Sequence, residues 1–254
     1  MNNLSHIGRI FYGVSILALG ALTIYYNEFS YMLIPPVKVG VPGLTYIAGA
    51  LFAVAGILIL IEKNARQVAL LLGGLFLLIF VFFHLPYQLF VSKNHLLLGD
   101  WENALKELAF AGGAFLVAGL YPATDNNGLM RFLAKLIPCG AIFFAIPVLS
   151  FGILHFMVTK QASMLVPAWI PGPMFWTYLA GVGLLGAAIA MILRIWVKPA
   201  ATLLGIIIFI WFVILHIPRI FVSPAIYMDG EITSAFLALA YSGIAFLVAG
   251  RAKK

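Results

Sequence analysis

Charge is scarce in this sequence: Asp, Glu, Lys and Arg make up 9% of its 254 residues, where a soluble domain carries about 25%. With 64% hydrophobic residues, a water-soluble globule is excluded, because even a large core leaves surface that must meet water. Cysteine is nearly absent as well. Cys139 stands alone, which excludes an intramolecular disulfide, a CxxC redox pair and a cysteine metal cluster. A small apolar packing role remains for it. Walker loops, Rossmann glycine patterns and nucleophile–base motifs are missing. No aromatic-plus-basic stripe points to nucleic acid. The histidines lack the i, i+4 spacing backed by acids that a metal needs, so no metal is expected.

What the chain does have is long apolar sequence. A membrane-spanning helix needs about 20 apolar residues. Eight stretches approach that: Ile7–Tyr26, Leu44–Ile61, Val68–Phe90, Ala104–Tyr121, Leu133–Val158, Phe175–Trp196, Ala201–Val222 and Thr233–Gly250. Their Gly, Ala and Leu content does not alternate as a barrel strand does. The expected fold class is therefore an all-α integral membrane protein with eight transmembrane helices. The first stretch follows MNNLSHIGR with no small-residue cleavage site, which reads as a retained helix rather than a signal peptide.

Basic residues set the expected orientation. Ten lie on the side of the termini: Arg9, Lys63, Arg66, Arg131, Lys135, Arg194, Lys198, Arg251, Lys253 and Lys254. Five lie opposite: Lys38, Lys93, Lys106, Lys160 and Arg219. Both termini are thus expected in the cytoplasm, and the net charge of +7 reflects this asymmetry.

HLPYQLFVS at 84–92 recurs as HIPRIFVS at 216–223. The match is part of a longer one. At an offset of 132, Gly8, Phe11 and Gly20 meet Gly140, Phe143 and Gly152; Met32 and Pro35 meet Met164 and Pro167; Tyr46-Ile-Ala-Gly49 meets Tyr178-Leu-Ala-Gly181; His84 and Pro86 meet His216 and Pro218. One residue is then dropped, and AFLVAG at 114–119 meets AFLVAG at 245–250. Two parallel-oriented four-helix repeats follow, at 1–124 and 133–254, joined by a cytoplasmic connector at 125–132. Four spans per unit give both the same orientation, hence a pseudo-twofold axis along the membrane normal.

His84 and His216 fall near the non-cytoplasmic span ends. Pro86 and Pro218 remove a helix hydrogen bond and bend the exit, and the histidine can supply a donor to the freed carbonyl. The alternative is that both imidazoles line an outward-opening polar pocket.

GILHF at 152–156, MLVPAWIPGP at 164–173, FWTYLAG at 175–181 and a Gly/Ala-rich last span together resemble the DoxX-like (DoxX/DoxD) superfamily of four-span membrane proteins, here in tandem. The second unit fits better, since His155 has Thr23 as its counterpart. The resemblance implies a four-helix membrane fold and, through relatives associated with thiosulfate:quinone oxidoreductases and methylamine-utilisation maturation, a bacterial inner-membrane setting. It implies a fold more firmly than a reaction.

The candidate ligand-binding residues are His84, His155, His216, Trp169 and Trp176. The two tryptophans belong to an apolar, proline-stiffened connector, either an interfacial anchor or a lid over an outer cavity. Lys106 and Glu107 have Leu237 and Ala238 as counterparts, and Arg219 has Tyr87 or Gln88. One half gained an acid and the other a base, so an ion pair of Glu107 with Arg219 across the units is expected; the alternative is that each charge reaches the interface on its own. Asp100 and Glu231 suit the positive ends of the helices they begin.

Three functions fit. One is a non-catalytic membrane partner of a redox or envelope protein, binding quinone or lipid in an outward-facing cavity. Another is a transporter or channel for a small neutral or hydrophobic solute. The last is a membrane assembly factor working through small-residue helix faces.

Overall fold

The computed structural model describes residues 2–29, 34–35, 42–123, 127–224 and 228–252. Met32 and Lys38, most of the YMLIPP segment, Asp125 and Asn126 of the connector, and Lys253 and Lys254 lie outside them. The described residues form helices and no strand. The main helices are α1 (Asn3–Tyr26), α2 (Leu44–Leu60), α3 (Ala65–Ile79), α4 (Leu98–Ala118), α6 (Gly140–Met157), α8 (Pro173–Leu193), α9 (Val197–Trp211) and α11 (Met228–Arg251). Short helices α5 (Gly128–Ala134), α7 (Thr159–Ser163) and α10 (Ile217–Val222) join or extend them.

Among the described residues, six helical segments are long and apolar enough to cross a membrane: Asn3–Tyr26, Ala65–Val91, Gly128–Met157, Pro173–Leu193, Val197–Val222 and Asp229–Arg251. Of the other two expected spans, α2 has only 17 residues. The other, α4, carries Asp100, Glu102, Lys106 and Glu107 in its first half. The outer surface is a belt of large apolar side chains, such as Leu51 and Val54 on α2 and Val182 and Leu193 on α8. Apolar groups facing outward on this scale suit lipid and not water.

The polar and small residues are inside. The last stretch of α4, from Glu107 to Ala118, is buried without interruption, which its Ala/Gly-rich sequence permits. Each of α4 and α11 runs against three helices: α3, α6 and α11 for α4, and α1, α9 and α4 for α11. The first helix of each half of the chain thus packs on the last helix of the other. Both crossings are made at paired glycines. A Cβ on Gly8 would lie 2.6 Å from Gly243 O, and one on Gly112 would lie 2.6 Å from Gly140 O.

At the end of the bundle that bears the termini, arginines close the helix C-termini, where unpaired carbonyls carry negative partial charge. Arg9, 2% exposed, donates from Nη1 to Ile59 O (2.6 Å) and Leu60 O (2.8 Å). Its Nη2 meets Glu62 Oε1 at 2.9 Å. Arg66 donates to Ala118 O (3.0 Å) and Tyr121 O (3.2 Å). The Tyr121 hydroxyl donates to Glu62 Oε2 at 3.3 Å.

The His-x-Pro segments do not interrupt their helices. Each is preceded by a π-helical turn, Phe80–His84 and Phe212–His216. The Leu85 N–H reaches back to Phe80 O and the Ile217 N–H to Phe212 O. A widened turn moves the preceding carbonyls off the proline ring, whose clash would otherwise break the helix. Pro86 therefore keeps helical angles, with φ −62° and ψ −39°.

Candidate functional site

In the second half of the chain, at the end away from the termini, α6, α8, α9 and α11 part to leave a cavity of about 370 Å³. Apolar walls come from Leu184 on α8 and Ile207, Ile208 and Trp211 on α9. Ala162, Leu165 and Val166 of the connector after α6 cover one side. Polar groups enter from four directions: His155 from α6, His216 from the widened turn, Tyr241 from α11 and Lys106 from α4. Lys106 is thus contributed by the first half to a cavity otherwise built by the second.

Each polar group has a defined hydrogen-bonding state. His155 Nδ1 lies 2.7 Å from Phe151 O; only a protonated nitrogen suits a carbonyl, which in a neutral ring leaves Nε2 as an acceptor. Lys106 Nζ donates to Asn103 Oδ1 at 2.8 Å. His216 Nδ1 and Tyr241 Oη are buried with no partner among the described residues. Unpaired buried polar atoms are costly, so a cavity edged by two of them has polar requirements that its walls do not meet.

The expected ligand residues are divided. His155, His216 and Trp176 come together on the cavity, and Trp176 Nε1 donates to Pro171 O at 3.1 Å. His84 is 1% exposed and away from the cavity, and Trp169 is 71% exposed on the outside of the connector. Tyr241 and Lys106 belong to the wall without having been singled out as ligand residues. Their mark in the sequence is that Phe110 and Leu237 stand at the matching positions.

The same comparison shows what the first half holds at the positions that line this cavity. Leu184, Ile208 and Tyr241 match Phe52, Phe76 and Phe110. These three phenylalanines are buried and pack ring against ring in sequence, with centroids 5.5 Å apart for the stacked pair Phe52–Phe76 and 5.3 Å for the tilted pair Phe76–Phe110. Larger aromatic rings fill the space that Leu and Ile leave open.

The expected pairing of Glu107 with Arg219 is corrected. Arg219 Nε donates to Glu231 Oε2 at 2.9 Å, and its Nη2 contacts Glu231 Oε1, a two-pronged pair within the second half. Arg219 sits at the exit of its span beside the start of α11, whereas Glu107 is nine residues into α4, about 13 Å deeper at helical rise. The first half has a neutral analogue: Gln88 Nε2 donates to Asp100 O at 2.5 Å and Ser92 Oγ to Asp100 Oδ2 at 3.3 Å. Arg219→Glu should destabilise the protein by about 1–2 kcal/mol, after allowance for partial exposure. The double exchange Arg219→Glu/Glu231→Arg should recover most of the lost thermal midpoint in detergent.

Nor do two of the α4 acids reach an interface. Glu107 is 0% exposed and Glu102 7%. Glu102 Oε1 accepts from Ser150 Oγ at 2.6 Å, while Glu102 Oε2 and both Glu107 oxygens have no partner among the described residues. Comparison of the chain with protein-family models, curated proteins and solved structures gives no match.

Proposed function

We propose that this polytopic membrane protein is a DoxX-like duplication with eight spans and cytoplasmic termini. In this reading it binds a small amphiphile in the cavity of its second repeat, as a non-catalytic inner-membrane partner of a redox or envelope system. The occupant has an apolar body and a head with oxygen acceptors and donors, the chemistry of a quinone or a single-chain lipid. One observation carries the reading: the cavity is walled mainly by apolar side chains, and its few polar lining residues include Lys106, His155 and the two residues with unpartnered buried atoms, His216 and Tyr241. Such a pocket, mostly apolar with a few convergent polar groups, is the usual form of a small-molecule site. The duplication is supported by crossings at Gly8/Gly243 and Gly112/Gly140, which exchange under the two sequence offsets.

The test is binding of decylubiquinone to the purified protein, read by quenching of tryptophan fluorescence, since Trp176 and Trp211 line the cavity. Saturable binding is expected. Tyr241→Phe and His216→Leu should each weaken it by about tenfold, the value of one hydrogen bond of about 1.4 kcal/mol. Binding that ignores both substitutions, or no binding together with no quinone or lipid in an extract of the purified protein, would reject the reading.

The transport reading gains one observation of its own, the buried charges of α4. Ionisable groups inside a bundle commonly mark a solute or proton path.

A further inference from the structure

Glu102, Lys106 and Glu107 lie within two turns of one helix, α4. Glu102 and Lys106 are one turn apart on α4, with the acid N-terminal to the base, the favourable order for attraction. Glu107 follows, fully buried, with both oxygens unpartnered among the described residues. Tyr12, which reaches α4 at Phe110 O, and Tyr241, on the α11 helix that packs on α4, are the neighbouring tyrosines. Ser150 is the polar neighbour from α6. His84, on the widened turn that packs on α4, is a further titratable group, and His155 and His216 line the cavity. The Tyr12 hydroxyl is already committed to Phe110 O at 2.7 Å. That of Tyr241 is not.

The charge count decides what the cluster does. Lys106 can neutralise one carboxylate, and a second bare carboxylate in a lipid-embedded interior costs several kcal/mol. Among the described residues, no group of three or more His, Cys, Asp or Glu is placed to hold a metal ion. A proton is the cation that a carboxylate can take up without such a group of ligands. The proton also has a route: Lys106 lines the cavity and stands between the two carboxylates along α4, and Tyr241, also on the wall, packs its ring on Phe151, the neighbour of the Ser150 that donates to Glu102.

We propose that Glu107, with Glu102 and Lys106, is a proton-exchange site that reaches water through the cavity of the second half, with Tyr241 at the junction. The proton moves between a water molecule in the cavity and a carboxylate oxygen, by way of the Tyr241 hydroxyl or an intervening water; no electron transfer is involved. The site depends on the bundle and its cavity and not on what else the cavity binds.

Infrared spectroscopy of the protein reconstituted in lipid tests this directly. The wild type should show a carboxylic-acid carbonyl stretch that shifts in ²H₂O and is lost in Glu107→Gln. If Glu107→Gln does not fold, Glu107→Asp should move the same band. Ala238→Phe places a ring in the cavity, because Ala238 is part of its wall. This variant should keep the band and lose its rapid exchange. Tyr241→Phe should slow exchange without abolishing the band. Absence of any carboxylic-acid band sensitive to position 107 across the accessible pH range would overturn the proposal. So would exchange as fast in Ala238→Phe as in the wild type. Neither result bears on decylubiquinone binding, so the two readings fail separately.

Discussion

Leucine at Gly112 or Gly8 is expected to abolish the folded bundle. At both positions a Cβ would come within 2.6 Å of a carbonyl oxygen on the facing helix. That atom is backbone, so no side-chain rotation relieves the clash. The helices would have to separate, and α1·α11 and α4·α6 are the two main seams between the halves. Overpacking a flexible core costs about 1–3 kcal/mol. A rigid backbone contact at the centre of a seam should exceed that and remove the monodisperse peak in size-exclusion chromatography. Gly183→Leu and Gly186→Leu on α8 are the controls. There a Cβ meets nothing within 4 Å, and the variants should elute as the wild type does. A Gly112→Leu protein with unchanged elution and thermal midpoint would show that the seam is looser than its backbone contact implies.

Arg9→Met should lower stability by about 3 kcal/mol, the second largest effect expected. The side chain is buried and holds two carbonyls at the end of α2 as well as Glu62. Charge-assisted hydrogen bonds of this kind contribute about 1.5–3 kcal/mol each. Removing the guanidinium leaves those carbonyls and the carboxylate without their cation. Arg9→Lys should recover little, because an ammonium cannot present the planar fork that spans α2 and Glu62. Thermal unfolding in detergent checks both variants. A lysine variant as stable as the wild type would mean that charge alone, and not fork geometry, holds this end together.

The helices were legible because uninterrupted apolar runs leave lipid as the only fitting solvent. The stretches expected at Val68–Phe90 and Ala201–Val222 lie within helical segments at Ala65–Val91 and Val197–Val222. The charges of α4 were harder to read. Asp100, Glu102, Lys106 and Glu107 look like a span entrance in one dimension, and only the surrounding helices show that Glu107 is at full burial. The partner of Arg219 was misassigned for a related reason. Unmatched charges in the two halves suggested each other, while Glu231, aligned with Asp100, was already accounted for as a helix-start residue. The cavity left a trace in the sequence, Phe52, Phe76 and Phe110 against Leu184, Ile208 and Tyr241. A ring exchanged for a branched chain becomes a void only when its neighbours stay in place.

The widened turns at Phe80–His84 and Phe212–His216 have a consequence for inheritance. A π-helical turn amounts to one amino acid added to a regular helix, and it rotates everything after it by about 100°. Loss of a single codon within Phe212–His216 would reset that phase. Arg219 would swing by roughly a quarter of a revolution away from Glu231, although neither residue had changed. At this site a one-codon deletion should harm the protein more than most substitutions do, since it re-aims the whole end of the helix at once.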